Sequence, residues 1–138
     1  MGGMGQRYNR DMRIAAYRHL AAAERLCTTD RKDIAGYLFG IAAECALKQI
    51  MIASGMRPLA ESERRDDPFY AHFEELKSML RDTATGRLRT ELRRYAENSA
   101  FMQHWDVSMR YSHGRDVRSE WVDQWQKDAR DVTGAMDM

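Results

Sequence analysis

Residues 34–53 read Ile-Ala-Gly-Tyr-Leu-Phe-Gly-Ile-Ala-Ala-Glu-Cys-Ala-Leu-Lys-Gln-Ile-Met-Ile-Ala, and this stretch decides the fold. It is apolar on almost every side, which is typical of a helix that is packed by neighbours on several faces in the middle of a bundle. Glu44 and Lys48 interrupt it at i, i+4 spacing, so both lie on one helical face. Burying two charges costs desolvation energy that an apolar pair would avoid. The pair therefore predicts either a structural latch between helices or the floor of a polar site.

The composition around this helix indicates one all-helical domain. The chain has 138 residues, of which 43% are hydrophobic and 31% charged, enough for one core and a soluble surface. Two prolines and many Ala, Leu, Met, Arg and Glu residues favour helices. We expect a flexible N-terminus over residues 1–8 and a single domain over residues 9–138. No apolar stretch is long and uninterrupted enough to predict a membrane span.

The cysteines and the charges narrow the class of protein further. Cys27 and Cys45 lie on apolar helical faces without the spacing of a zinc site, which predicts reduced thiols in a cytoplasmic protein with no metal and no cofactor. The net charge is only +1, but arginines outnumber lysines and cluster between residues 81 and 94. Arginine suits bidentate contacts to carboxylate or phosphate. The alternative is a solvated helical face on which arginine simply stands in place of lysine.

The apolar spacing and the capping residues predict a compact bundle of four to five helices. The expected helices begin near residues 9, 31, 67, 86 and 116. The third has the clearest start, with Asp67 as the N-cap and Pro68 in the first turn, and is expected to continue to about residue 83. The side chains expected to be buried by the last two helices are Leu88, Leu92, Tyr95, Val117, Trp121, Trp125 and Ala129.

One part of this pattern resembles a known family. The run Ala35-Gly-Tyr-Leu-Phe-Gly-Ile-Ala-Ala-Glu-Cys-Ala-Leu-Lys48 resembles the second helix of HEPN domains. His72 and the Trp105-x4-Arg110-Tyr111 motif extend the resemblance over roughly residues 12–125, almost the whole chain. The resemblance implies a helical bundle, usually a homodimer, in prokaryotic defence and toxin–antitoxin systems. Many members are metal-independent ribonucleases, and others bind nucleotides, nucleic acid or a partner protein.

The motif of the catalytic members is Glu-x3-Lys on helix two, followed by Arg-x4-6-His near the last long helix, with two chains contributing to one cleft. Glu44 and Lys48 match the first element, and Arg110 matches the arginine. The next histidine is His113, which gives Arg110-x2-His113, a departure from the family spacing. Residues three apart share a helical face, so both could still point into one cleft. Gly114 suggests instead that they lie in the loop before the last helix.

A second pair also fits the spacing of the motif. Arg65 and His72 have six residues between them, as the motif allows, but Arg65 falls in an expected loop. His72 suits a structural, hydrogen-bonding role at the head of helix three. We therefore assign the motif to Arg110 and His113.

Each residue of the motif has an expected role if the protein cleaves RNA. His113 would transfer protons, because histidine titrates near neutral pH. Arg110 would stabilise the charged phosphate, and Tyr111 would orient the histidine or stack a base. Glu44 would hold Arg110 or Lys48 in place. The arginines expected to contact an RNA backbone are Arg87, Arg89, Arg93 and Arg94.

These residues leave three classes of function. The primary prediction is a HEPN-like RNA-acting protein, as an endoribonuclease toxin or defence effector. The alternative is a non-catalytic HEPN binding module that partners a nucleotidyltransferase-type protein or antitoxin, or binds nucleotide or nucleic acid, and the shortened Arg110-x2-His113 spacing favours it. A purely structural subunit of a larger assembly is the third. Independently of these classes, Glu44 with Lys48 or Arg110 could be a structural latch between helix two and the segment 105–111.

Overall fold

A computed structural model describes residues 10–138, and in that range the chain is an all-α bundle without strands. The prediction of a compact four- to five-helix bundle is therefore confirmed. Its α-helices are α1 (Met12–Leu26), α2 (Lys32–Ala53), α3 (Glu75–Thr83), α4 (Arg89–Glu97) and α5 (Ser119–Ala135). Short 3₁₀ helices in the connections span Glu61–Asp66, Pro68–Tyr70, Val107–Tyr111 and Gly114–Asp116.

The apolar helix α2 is the centre of the bundle and packs mainly against α1 and α5. Its buried residues lie on several faces, as the sequence predicts: Ala35, Gly36, Phe39, Gly40, Ala42, Ala43, Glu44, Ala46, Leu47, Lys48, Ile50 and Met51. By length and composition alone α2 could cross a bilayer, but 67% of its apolar window is buried by its own bundle. Such burial is the property of a core helix.

Two glycines one turn apart allow two tryptophans to lie directly on α2. A Cβ atom at Gly40 would stand 1.9 Å from the indole of Trp105, and one at Gly36 would stand 2.9 Å from the indole of Trp125. The Nε1–H of Trp105 donates a hydrogen bond of 3.1 Å to the carbonyl oxygen of Gly36. These contacts fix the segment ahead of α5 to the N-terminal half of α2.

The expected start of helix three is wrong. Asp67 caps only the turn Pro68–Tyr70, where its side chain accepts a backbone hydrogen bond of 3.0 Å. The N–H of Phe73 then donates to the carboxylate of Glu44 at 2.8 Å instead of to a helical carbonyl oxygen. The chain therefore turns here, and α3 begins only after this contact.

The helix α4 also begins later than expected, at Arg89 rather than at Gly86. Gly86 has a φ of +89° and lies against the end of α2, where a Cβ atom would approach the carbonyl oxygen of Ser54 to 1.7 Å. Glycine fits both the conformation and the space, so Gly86 forms a turn that docks onto α2. The expected burial of Leu92 and Tyr95 is confirmed.

Buried polar groups hold the connection between α4 and α5. The ammonium of Lys77, which is fully buried, donates to the carbonyl oxygens of Asn98 at 2.7 Å and Phe101 at 2.8 Å. Burial lowers the pKa of Lys77. The indole N–H of Trp125 donates to the carbonyl oxygen of Gln103 at 2.8 Å. Each of these bonds satisfies backbone groups that lie outside helices.

The last helix, α5, buries one side of its surface. Trp125 and Ala129 are core residues, as the sequence predicts. Val117 and Trp121 were expected to be buried but are only half-buried. His104 is exposed, and its ring stacks on Trp121 at a centroid distance of 4.5 Å.

Candidate functional site

Glu44 lies under the turn that precedes α3, with only 2% of its surface exposed. One carboxylate oxygen contacts Nδ1 of His72 at 2.8 Å, and the other accepts the N–H of Phe73 at 2.8 Å. The expected partners were Lys48 or Arg110, so the structure corrects this prediction. Glu44 instead holds a loop that is distant in sequence. His72 has the hydrogen-bonding role that its place ahead of helix three predicts.

Lys48 lies one turn further along α2 and is also buried. Burial lowers the pKa of Lys48, although the nearby carboxylate of Glu44 acts in the opposite direction. The surroundings therefore disfavour the charged ammonium. A buried lysine whose charged form is disfavoured in this way is a candidate for function.

We expect Lys48→Met to raise the free energy of unfolding at pH 7 by about 1 kcal/mol, since it removes a charge whose burial is poorly compensated. The pKa of Lys48 is lower in the folded chain than its ordinary value of 10.5. Between the pKa of the folded chain and that of the unfolded chain, the unfolded chain binds more protons. The free energy of unfolding of the wild type therefore increases as the pH rises through this range. The Lys48→Met variant lacks this increase.

Urea denaturation at about pH 7 and about pH 10 measures both effects. Lys127→Met, at an exposed position on α5, is the control. It should change neither the free energy of unfolding at about pH 7 nor its increase with pH. A loss of stability in Lys48→Met at neutral pH would show that the ammonium is well paired, contrary to this account.

Arg110 is exposed and lies in the 3₁₀ helix Val107–Tyr111. Its guanidinium donates to the hydroxyl of Tyr37 at 3.3 Å and stands 5.0 Å from the ring centroid of Tyr111. The hydrogen bond to Tyr37 raises the pKa of Arg110, which is cationic at any accessible pH. Tyr37 precedes Glu44 by two helical turns, about 10 Å along α2. The expected crevice that joins Arg110 to Glu44 and Lys48 is therefore not formed within one chain.

Arg110 and His113 line two neighbouring clefts at the N-terminal end of α2. Each cleft has a volume of about 470 Å³. They meet where Gly114 touches α2, since a Cβ atom at Gly114 would stand 2.4 Å from Oδ2 of Asp33. The two side chains thus occupy adjacent clefts rather than one. The residues that line both clefts are Arg31, Asp33, Gly114 and Val117.

The cations around these clefts differ in their partners. Arg31 forms an ion pair with Asp33 at 2.7 Å, and Lys32 forms one with Asp123 at 2.8 Å. In the described part of the chain Arg110 has no carboxylate within 4.0 Å, and its partners are neutral tyrosine hydroxyl groups. Its charge is therefore available to an anion. Beside it, 79% of the surface of Tyr111 is exposed.

The four arginines expected to contact RNA divide into two pairs. Arg87 and Arg94 line a separate cavity at the C-terminal end of α2. Arg93 contacts Glu97 at 3.4 Å on the surface of α4, and Arg89 is exposed. The cavity shares no lining residue with the clefts beside Arg110. The four therefore do not form one continuous surface with the motif.

Among residues 10–138, no three His, Cys, Asp or Glu side chains are arranged to hold a metal ion. No family model, no curated protein and no solved structure matches the chain. The likeness to HEPN domains thus rests on the residues themselves. Arg110, which has no carboxylate partner among the described residues, lies beside the exposed ring of Tyr111 and two clefts. Such an arrangement can bind a phosphate and stack a base.

Proposed function

We propose that this chain is a HEPN-like, RNA-acting protein of the defence or toxin–antitoxin type, which works as a cytoplasmic homodimer. Loop 107–115 contacts RNA. The observation that supports this best is the exposed guanidinium of Arg110, which has no carboxylate partner within the described residues and lies beside the exposed ring of Tyr111. Arginine binds phosphate through charge-assisted hydrogen bonds. An exposed aromatic ring stacks an unpaired base.

The proposed reaction is metal-independent cleavage of the RNA backbone. The 2′-hydroxyl attacks the adjacent phosphorus and the bond to the 5′-oxygen breaks, which leaves a 2′,3′-cyclic phosphate and a 5′-hydroxyl. His113 accepts the proton of the 2′-hydroxyl, and His113 of the second copy donates a proton to the leaving oxygen. Arg110 stabilises the charge that develops on the phosphorane. The phosphate lies across Gly114, between the two clefts.

Incubation of the purified protein with RNA in EDTA is expected to yield fragments that end in a cyclic phosphate. Arg110→Ala and His113→Ala should each reduce the rate by about 100-fold or more, the usual contribution of a charge stabiliser or a general base. Arg57→Ala is the control, because Arg57 is exposed beyond the opposite end of α2. Cleavage that is unchanged in His113→Ala would remove this histidine from the mechanism.

The alternative function is a non-catalytic binding module that partners a nucleotidyltransferase-type protein. Glu44 favours it, because both carboxylate oxygens already bind His72 and the backbone of Phe73 and so hold a loop rather than a reacting group. This alternative predicts no cleavage by the wild type. It also predicts a stable complex when the chain is co-expressed with such a protein encoded nearby, as measured by size-exclusion chromatography.

A further inference from the structure

A cavity of about 550 Å³ lies at the C-terminal end of α2, between α4 and the last residues of α5. Its volume falls within the range of roughly 300–1,000 Å³ that is usual for small-molecule sites. Loop 107–115 lies at the other end of α2, so the cavity is separate from the proposed RNA site. Its aliphatic lining residues are Ile50, Ala53, Leu88, Ala135, Met136 and Met138.

Three arginines also line this cavity: Arg13 from α1, Arg87 ahead of α4, and Arg94 from α4. Arg13 is paired with Asp137 at 2.5 Å. Among the described residues that line the cavity, the acidic side chains are Asp137 and Glu91, so the lining side chains carry an excess of one positive charge. A ligand that brings one negative charge would balance this excess.

Tyr95 provides a fixed aromatic wall to the cavity. It is 4% exposed, and its hydroxyl donates to the carboxylate of Asp131 at 3.0 Å, which holds the ring. Burial raises the pKa of Tyr95 to about 12, so the ring is neutral at physiological pH. The guanidinium of Arg94 lies 5.5 Å from the ring centroid. A ligand therefore meets an apolar surface and a cation together.

We propose that this cavity binds a small organic anion. The apolar part of the ligand, or body, is flat or aliphatic and packs against the apolar lining residues. Its phosphate or carboxylate group, or head, lies between Arg87 and Arg94. Arginine suits both heads, because its planar fork donates two parallel hydrogen bonds to either. The small excess of positive charge favours a ligand with one or two charges over a polyanion.

Isothermal titration calorimetry of the intact chain with 1-naphthyl phosphate tests the proposal, because this probe carries both the body and the head. Inorganic phosphate lacks the body and 1-naphthol lacks the head. We expect one probe molecule per chain and at least about tenfold weaker binding of either fragment. 1-Naphthoate distinguishes the heads: tighter binding than the phosphate ester assigns a carboxylate and weaker binding assigns a phosphate, and both support an anion site.

Arg87→Ala and Arg94→Ala should each weaken binding of 1-naphthyl phosphate about tenfold, which corresponds to about 1.4 kcal/mol. Arg93→Ala is the matched control, since Arg93 lies on the same helix but contacts Glu97 outside the cavity. Ala53→Phe fills the cavity from the end of α2 and should abolish binding.

Three results would overturn the proposal. The first is no binding of the probe by the wild type at about 1 mM, a weak affinity for a site of this size. The second is an equal loss in Arg93→Ala, which would indicate a diffuse basic surface. The third is full binding by Ala53→Phe. Loss of RNA cleavage is not a readout here, so failure of this proposal is distinct from failure of the RNA proposal.

Discussion

Gly40→Ala is expected to reduce the free energy of unfolding by at least about 3 kcal/mol, at the upper end of what overpacking usually costs. The added Cβ atom would stand 1.9 Å from the indole of Trp105, which is itself buried. Either the ring leaves its position or α2 moves. Displacement of the ring also breaks its hydrogen bond to the carbonyl oxygen of Gly36, so a packing loss and an unsatisfied acceptor occur together.

Gly134→Ala is the matched control for this substitution. Gly134 lies in α5, and a Cβ atom there would meet nothing within 4 Å. Alanine should stabilise this position by about 0.5–1 kcal/mol, since glycine is the poorer helix former. Urea denaturation of both variants, followed by circular dichroism, measures the difference. A Gly40→Ala variant as stable as the wild type would show that Trp105 does not pack on α2 as described.

The second large effect is expected for Glu44→Ala, which should lose about 3 kcal/mol of stability. Hydrogen bonds to charged groups contribute about 1.5–3 kcal/mol, and this carboxylate makes two contacts. The substitution leaves the N–H of Phe73 buried without its acceptor and releases His72. The turn ahead of α3 should loosen, so hydrogen exchange of the Phe73 amide should become faster.

Two further variants test how much of this loss of stability comes from each contact of Glu44. His72→Ala removes only the half-exposed partner and should cost less than Glu44→Ala, because the bond to Phe73 remains. Glu63→Ala, at an exposed position, should remain within about 0.5 kcal/mol of the wild type. Equal stability of Glu44→Ala and Glu63→Ala would mean that the buried carboxylate does not anchor the turn.

The fold follows from the sequence wherever local periodicity carries the information. An apolar pattern on all sides of residues 34–53 predicts a central helix, and α2 is that helix. The burial of Glu44 and Lys48 is also predictable, because both stand inside this apolar run. The extent of α3 is not predictable in the same way. The capping signal at Asp67 is real, but a bond between residues 44 and 73 interrupts the helix that it starts.

The site is less predictable because its contacts are distant in sequence. Nothing local to Glu44 indicates that its partner is His72, 28 residues away, rather than Lys48 on the next turn. The separation of the four arginines of this region into two pairs could have been predicted from helical geometry. Arg87 and Arg94 are seven residues apart and share a face, whereas Arg89 and Arg93 are four apart and share another. Of these two pairs, Arg87 and Arg94 line the cavity.

Binding of a fluorescein-labelled single-stranded RNA, followed by anisotropy at low salt, tests the central claim most directly. The account predicts that Arg110→Ala and Tyr111→Ala each weaken binding, by loss of a phosphate contact and of a stacking contact worth about 1–3 kcal/mol. Arg57→Ala should bind as the wild type does. No RNA binding by the wild type, or an equal loss in Arg57→Ala, would contradict the assignment of loop 107–115 as the RNA-contacting surface.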